Sequence, residues 1–332
     1  METKRPVRQE GPDLDKYDLG IIAQLENDGR RGLSEMADAL GIHRNTVRVK
    51  LNRLIDKRVI RPAVYVDPRT LGYRAPAIIG IKVVPSEIEK VATRVAALPN
   101  IHHVHVCLGR YDIVLAGSLF RDEDELLSFV TNELSNTPGV VDVETMITVG
   151  LSKVTFAVVD GQQPEKQKNP REREAIGASL DEDDYAIIRE LQRDSRQSAF
   201  ALAAALGMNR NAVAVRLRRL LDQEIVRAVV IADPVMMGYT VMAMFGLSVA
   251  PGQIDSVSVQ LQGLKNLQTS VLCIGRYNIV VWCLCRNLEE LYDTVTANLA
   301  GITGLREVET MLILRTKKAT LDYLQPSQSV KN

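Results

Sequence analysis

Leu40-Gly41-Ile42-His43-Arg44-Asn45-Thr46-Val47-Arg48 and, 166 residues on, Leu206-Gly207-Met208-Asn209-Arg210-Asn211-Ala212-Val213-Ala214 are one piece of sequence written twice. In each, an apolar helix end meets a glycine free to adopt positive φ, and a new run with apolar residues at helical spacing follows. At ~100° per residue, Leu51 and Leu54 fall within ~40° of Val47, which gives this helix one apolar stripe and a long polar face. Working outward, Leu14, Ile21, Ile22 and Leu25 mark a first amphipathic helix that stops at Asn27-Asp28-Gly29. Leu33 to Leu40 reads as a short second helix, with Ser34 available as its N-cap. Three helices with a glycine turn before the last are the pattern of a helix-turn-helix.

The repeat continues beyond the helices. Leu14-Asp15 recurs as Leu180-Asp181, Asp67-Pro68 as Asp233-Pro234, and Gly109-Arg110-Tyr111 as Gly275-Arg276-Tyr277 at the same offset. After that the offset drops by one, so that Val143-Glu144-Thr145-Met146 meets Val308-Glu309-Thr310-Met311. From Ala77 the hydrophobic period changes. Ala77 to Val84 reads as a strand, Pro85 to Leu98 as a helix with proline in its first turn, and Ile101 to Leu108 and Asp112 to Leu119 as strands. Asp122 to Asn136 reads as a helix with an acidic first turn and Val140 to Lys153 as a last strand. The order βαββαβ is that of a ferredoxin-like sandwich. Apolar residues on both sides of these strands call for a second sheet as cover, so a homo-oligomer through this domain is expected.

The fold class is therefore α+β, two copies of a three-helix (winged) helix-turn-helix followed by a ferredoxin-like βαββαβ domain. The predicted domains are 14–62 and 180–228 for the helices and 75–158 and 241–324 for the sandwiches. The polar, proline-bearing stretch 159–179 between the modules reads as a flexible linker, and 1–12 and 325–332 as loose tails.

Composition bounds the function. With 46% apolar residues and 41 basic against 41 acidic side chains, the chain is neither disordered nor a general polyanion binder. No N-terminal apolar core and no run of ~20 apolar residues is present, and the four cysteines sit in apolar β-branched stretches, so a cytoplasmic protein without disulfides or membrane spans is expected. Net neutrality hides local patches. His43 to Arg61 has seven basic residues against Asp56 alone, and Asn209 to Arg227 has five against Asp222 and Glu224, local charges of +6 and +3. The far sides and flanks of the apolar stripes hold Asn45, Arg48, Val49, Asn52 and Arg53 in one copy and Asn211, Ala214, Val215, Arg218 and Arg219 in the other, and Arg44 and Arg210 at the helix starts are further candidates for DNA. Arginine can grip guanine bidentately and asparagine adenine, each worth roughly 1–3 kcal/mol of discrimination. Double-stranded DNA is thus the expected macromolecular partner, and the first module should hold phosphate harder.

Residues His102-His103-Val104-His105-Val106-Cys107 hold three of the four histidines. Strand alternation puts His103, His105 and Cys107 on one face, candidate metal or haem contacts against a reading as interface packing, and packing is the expectation. The second copy has Thr269, Val271 and Cys273 there, so no shared structural need explains the histidines. No metal and no cofactor is expected, nor an enzyme, because no nucleophile triad, phosphate-binding glycine loop or metal-binding helix is found.

The order and spacing of these motifs resemble the Lrp/AsnC (leucine-responsive, feast/famine) family of transcription regulators. The resemblance rests on Asp15-Lys16-Tyr17-Asp18 and Asp181-Glu182-Asp183-Asp184 in the first helices, the two turns quoted above, Gly109-x-Tyr111-Asp112, and Pro138-Gly139-Val140. It implies a DNA-binding regulator whose effector domains bind an amino acid or related small metabolite, at Gly109, Tyr111 and Asp112 and at Gly275, Tyr277 and Asn278. The carboxylate of Asp112 would hold the ligand's ammonium group; alternatively, Gly109 and Asp112 only form the hairpin. The chain departs from the family pattern in being a tandem, in carrying Asn278 for Asp112, and in having Thr303-Gly304-Leu305 for Pro-Gly-Val. The alternative is a siroheme-decarboxylase-like enzyme built from the same paired modules, for which the histidine cluster is the one matching feature.

Overall fold

A computed structural model of the chain describes residues 13–154, 157–159 and 180–324. The expected tails and all but the first residue of the expected linker lie outside the described residues. Helix α1 (Lys16–Asn27) opens on a reciprocal cap. The Asp15 carboxylate accepts from the Asp18 N–H at 2.9 Å, and the Asp18 carboxylate accepts from the Asp15 N–H at 3.1 Å. Asp181 and Asp184 repeat this at α6 (Glu182–Arg193). Helices α2 (Leu33–Leu40) and α7 (Ala199–Leu206) end at Gly41 (φ 63°) and Gly207 (φ 65°), left-handed positions that only glycine takes at little cost and that turn the chain into α3 (Arg44–Asp56) and α8 (Arg210–Asp222).

One cap differs from the expectation. Ser34 lies inside the first turn of α2, because the extended residue before the helix is Gly32, which has no side chain to cap with. The equivalent position in the second copy is Ser198, whose hydroxyl does accept from the Ala201 N–H at 3.2 Å.

Strand β1 (Ile60–Val66) leaves α3, and β6 (Val226–Ala232) leaves α8. The two pair with each other, antiparallel, with Ala63 opposite Val229. Pro62 is tolerated because a two-stranded ribbon consists only of edges. The pairing interlocks the modules. Val230 and Ala232 of β6 complete the core beneath α1–α3, while Ala63, Val64 and Val66 of β1 complete the one beneath α6–α8. Arg30 donates to the carbonyls of Ser195 (2.6 Å) and Gln197 (2.7 Å), and Arg196 reciprocates to those of Gly29 (2.7 Å) and Arg31 (3.1 Å).

The sandwiches form as expected. The first holds β2 (Ala77–Val83), α4 (Ile88–Ala96), β3 (Ile101–Leu108), β4 (Ile113–Ser118), α5 (Glu123–Ser128, continued by wider turns to Leu134) and β5 (Val140–Val154). The second holds β7 (Val241–Val249), α9 (Ile254–Gln262), β8 (Leu267–Ile274), β9 (Ile279–Cys285), α10 (Leu288–Asp293) and β10 (Leu305–Ala319). The 15-residue strands β5 and β10 each pair first within their own sheet and then with the edge of the other, β5 with β8 and β10 with β3. The eight strands thereby close a barrel in the order β10-β3-β4-β2-β5-β8-β9-β7. Helices cover its outside, over cores such as Ile79, Ile81, Val91 and Phe129. Its inside packs Ile78, Met146, Met244, Val280 and Met311 from both modules. The apolar face that suggested a homo-oligomer is therefore covered within one chain, with the second module as its partner.

Candidate functional site

The recognition helices are anchored from below. Val47, Leu51 and Leu54 are buried, as are Val213, Leu217 and Leu220. Beside each stripe, cations of the helix reach back to α1 or α6. Lys50 pairs with Asp15 (2.6 Å) and with the fully buried Asp18 (3.3 Å), which also accepts from Arg53. Arg216 pairs with Asp181 (2.7 Å), Asp183 (3.1 Å) and buried Asp184 (3.0 Å), which also accepts from Arg219. The Lys50 ammonium holds the Asp15 carboxyl down at about 2. Arg53 and Arg219 thus have a structural task, setting each recognition helix against its first helix. Part of the +6 patch is neutralised in this way as well.

The remaining expected residues face outward. Arg44, Asn45, Arg48 and Asn52 are exposed on α3, and Arg210, Asn211 and Arg218 on α8. Arg48 donates to the Asn45 amide oxygen at 2.6 Å, which pre-orients both. On the same faces Val49 and Val215 are 59% and 70% exposed, apolar patches of the kind that meet a thymine methyl. Phe200, under the Arg210 guanidinium at 5.8 Å from its ring centre, is a third exposed apolar group that sequence periodicity did not single out.

The Gly-Arg-Tyr turns lie at the seam of the barrel, each against the other module. A side chain at Gly109 would come within 2.8 Å of the Thr310 carbonyl, and one at Gly275 within 3.1 Å of Met146. Tyr111 lies flat on Gly80 and donates to Glu144, which also pairs with Arg110 at 2.8 Å. Tyr277 lies on Gly246 and donates to Glu309 at 2.6 Å. Burial pushes the Tyr111 hydroxyl up to about 12. The Asp112 carboxylate accepts from the Val83 N–H at 2.9 Å, and the Asn278 amide oxygen accepts from the Val249 N–H at 2.8 Å. Asp112 also pairs with Lys82 at 3.8 Å, where the second copy has Ser248, but the task both side chains share is to tie a turn to the end of the neighbouring strand through an oxygen acceptor. That explains how Asp and Asn share the position. Gly139 (φ 92°) and Gly304 (φ 95°) keep the same loop conformation despite the missing Pro-Gly-Val.

His103 and His105 do share a face. Their rings lie parallel, centres 6.3 Å apart, and the His105 Nδ1 is 3.0 Å from the Thr316 hydroxyl. Both line a pocket of about 390 Å³ between the β1–β6 ribbon and the end of the barrel. Burial pushes His103 down to about 3 and His105 to about 4, so both are neutral imidazoles at ordinary pH. Cys107 instead packs inside the barrel, where burial raises its thiol to about 12. Among the described residues no group of three or more His, Cys, Asp or Glu side chains converges as a metal cage. Nor is any described helix long and apolar enough to cross a membrane.

Comparison with known proteins agrees with this geometry. The profile of the AsnC-type helix-turn-helix domain matches residues 14–55 and 180–221, and that of the Lrp/AsnC ligand binding domain matches 76–157 and 242–322. An HTH-type transcriptional regulator of Pyrococcus abyssi, itself uncharacterised, is 32% identical over 147 residues, 44% of this chain and 92% of its own length. The HTH-type transcriptional regulator FL11 of Pyrococcus horikoshii is 32% identical over 143 residues, 43% of this chain and 93% of its own. Each thus matches about one module. Among solved structures, the siroheme decarboxylase NirDL covers 92% of this chain and 93% of its own at TM-score 0.58 and 19% identity, a likeness of fold. With two helix-turn-helix and two ligand-binding domains in alternation, the chain belongs to the Lrp/AsnC family as a tandem duplication.

Proposed function

We propose that the chain is a sequence-specific transcriptional regulator and not an enzyme. In this reading one molecule places α3 and α8 in two half-sites of one operator and responds to a small molecule held by its effector domains. The observation that carries it is the pair of exposed Arg/Asn faces, each braced by buried carboxylates and both joined through one ribbon. The two faces differ, so the half-sites should differ too. Genome-wide mapping of bound DNA would supply an operator. Fluorescence anisotropy on that fragment should then show affinity falling steeply as salt rises, since each neutralised phosphate contributes a slope of about −0.9 in log affinity against log salt. Binding no weaker at high salt would overturn the reading.

An enzyme acting on an iron tetrapyrrole is the second reading, favoured by His103 and His105 standing in a pocket of a chain with the NirDL fold. A second siroheme decarboxylase NirDL structure is a co-complex with an iron-uroporphyrin III analogue, at TM-score 0.59 and 19% identity. Absorption spectra after addition of siroheme should show no strong Soret shift to this protein; a strong shift would favour the enzyme.

A further inference from the structure

The pocket between ribbon and barrel lies on the approximate twofold axis that relates the modules. Positions 166 residues apart, on strands opposite each other in the barrel order, line it together: His103 and Thr269, His105 and Val271, Ala116 and Trp282. A dimer of identical modules would have to line such a pocket twice with the same side chains. Here one wall carries two imidazoles and the other an indole with small or branched neighbours. This pocket is therefore asymmetric, where a dimer of identical modules would have a symmetric one.

Its chemistry is specific. The walls are chiefly apolar, with Ile78, Leu119, Val271 and Leu284 among them. The volume of about 390 Å³ falls in the range of ~300–1,000 Å³ usual for sites of drug-sized ligands. His103 has no hydrogen-bond partner among the described residues, so its ring nitrogens are free for a ligand. Trp282 offers a flat face for a ring. At the rim Arg61 is exposed and without a partner among the described residues. The one acidic residue lining the pocket, Asp67, is already engaged, its Oδ1 accepting from the Arg69 N–H at 2.9 Å. Two cations, Arg61 and Arg69, thus stand against one acidic side chain among the lining residues, a balance that favours a carboxylate over an ammonium.

We infer that this pocket is the effector site of the chain, and that it takes one ring-bearing apolar carboxylate per molecule, ring between His103 and Trp282 and carboxylate at Arg61. The inference rests on the regulator reading and sharpens it. Arg61 and Tyr65 of β1 with Ile231 and Ala232 of β6 form the pocket's roof, and β1 and β6 follow directly from the recognition helices. A ligand that lifts or tightens the ribbon moves α3 and α8 together, so occupancy is read out as half-site spacing.

Trp282 is the chain's only tryptophan and therefore reports occupancy directly. Titration with 3-(4-biphenylyl)propionate should change its emission saturably. The α-amino counterpart 4-phenyl-L-phenylalanine should bind at least tenfold more weakly. Thr269→Phe, which fills the pocket, should abolish the change, and Arg61→Ala should weaken it at least fivefold, both with an unaltered melting temperature of the ligand-free protein. Saturating propionate should alter affinity for the mapped operator at least threefold. The inference falls if neither probe saturates, if the amino acid binds as well as the propionate, if both variants bind like the parent, or if operator affinity does not respond. Operator binding without ligand is read in the same anisotropy assay, so failure of the pocket is distinct from failure of the regulator reading.

Discussion

The α1–α3 unit carries Arg48, Lys57 and Arg58 where the α6–α8 unit carries Ala214, Gln223 and Glu224, yet both units hold the same buried aspartate between two cations and the same capped first turn. The pattern recurs in the barrel. Tyr111 and Tyr277 lie on their glycines in the same way, and Asp112 and Asn278 accept from the same backbone position, while three histidines of the first copy are replaced by Gln268, Thr269 and Val271 in the second. What the copies share are the side chains that satisfy backbone groups or buried charges. Apart from one helix cap, which Ser198 makes and Gly32 does not, what they do not share are the helix faces open to a partner and the wall of one pocket. Duplication has kept the scaffold and separated the surfaces.

This comparison can be broken first at its most symmetrical point. Asp18→Ala and Asp184→Ala should each destabilise their helical unit by about 3 kcal/mol. Each removes a buried carboxylate, half of a cap and the partner of two cations that are partly exposed, which keeps the loss at the low end of the range for buried ion pairs. Urea unfolding should give losses for the two variants within ~1 kcal/mol of each other if the units are energetic equivalents; a much smaller loss in either copy would end that equivalence.

An asymmetry of the next size lies in pH. Burial holds His102 at about 4, His103 at about 3 and His105 at about 4, against 6.5 for the free side chain. The unfolded chain therefore takes up protons below pH 6.5 that the folded chain refuses. Stability is complete above 6.5 and lost as pH falls towards 4. Replacing the three with their counterparts, as His102→Gln, His103→Thr and His105→Val together, should remove about 2 kcal/mol of that decline, since each tenfold change in proton affinity corresponds to about 1.4 kcal/mol and pocket solvent reduces the sum. Melting temperatures of parent and variant compared between pH 7 and 4.5 test this, and parallel curves would refute it.

At the DNA face, Arg48→Ala should weaken operator binding roughly tenfold and Ala214→Arg should alter preference in the other half-site, as expected for about 1–2 kcal/mol at a base contact. Equal effects on operator and random DNA would assign Arg48 to phosphate instead. Smallest is the effect of Asp112→Asn, which copies the second module. The acceptor for the Val83 N–H survives, so stability should change by less than about 0.5 kcal/mol and biphenylylpropionate binding by less than twofold. A clear loss of affinity for the ammonium-bearing 4-phenyl-L-phenylalanine would return Asp112 to the role its motif suggests.

Most of the fold was legible because it rests on local signals: the αL glycines, the capping aspartates, the change of hydrophobic period at Ala77, and a repeat that doubles every signal. The Ile60–Val66 ribbon was not. Seven apolar and polar residues around Pro62 have no decisive period, and their partner strand lies 166 residues away. The closing of the barrel within one chain escaped for the same reason, since an uncovered face says that a cover exists and not which chain supplies it. In the candidate site, the outward residues of α3 and α8 followed from helical angle. The inward turn of Arg53 and Arg219 did not, because it depends on carboxylates of another helix. The pocket is invisible in any one segment, since it exists only where ribbon, both sheets and residues near Val158 and Tyr323 meet.

The reciprocal grip of Arg30 and Arg196 has a consequence for dosage. A regulator assembled from separate subunits loses its two-headed form on dilution, and its active concentration falls with the square of copy number once subunits part. If the chain acts as the regulator proposed above, the second head is delivered with the first at fixed stoichiometry, and operator occupancy should follow the first power of concentration down to a handful of molecules per cell. A regulator so built could be kept scarce without losing its response.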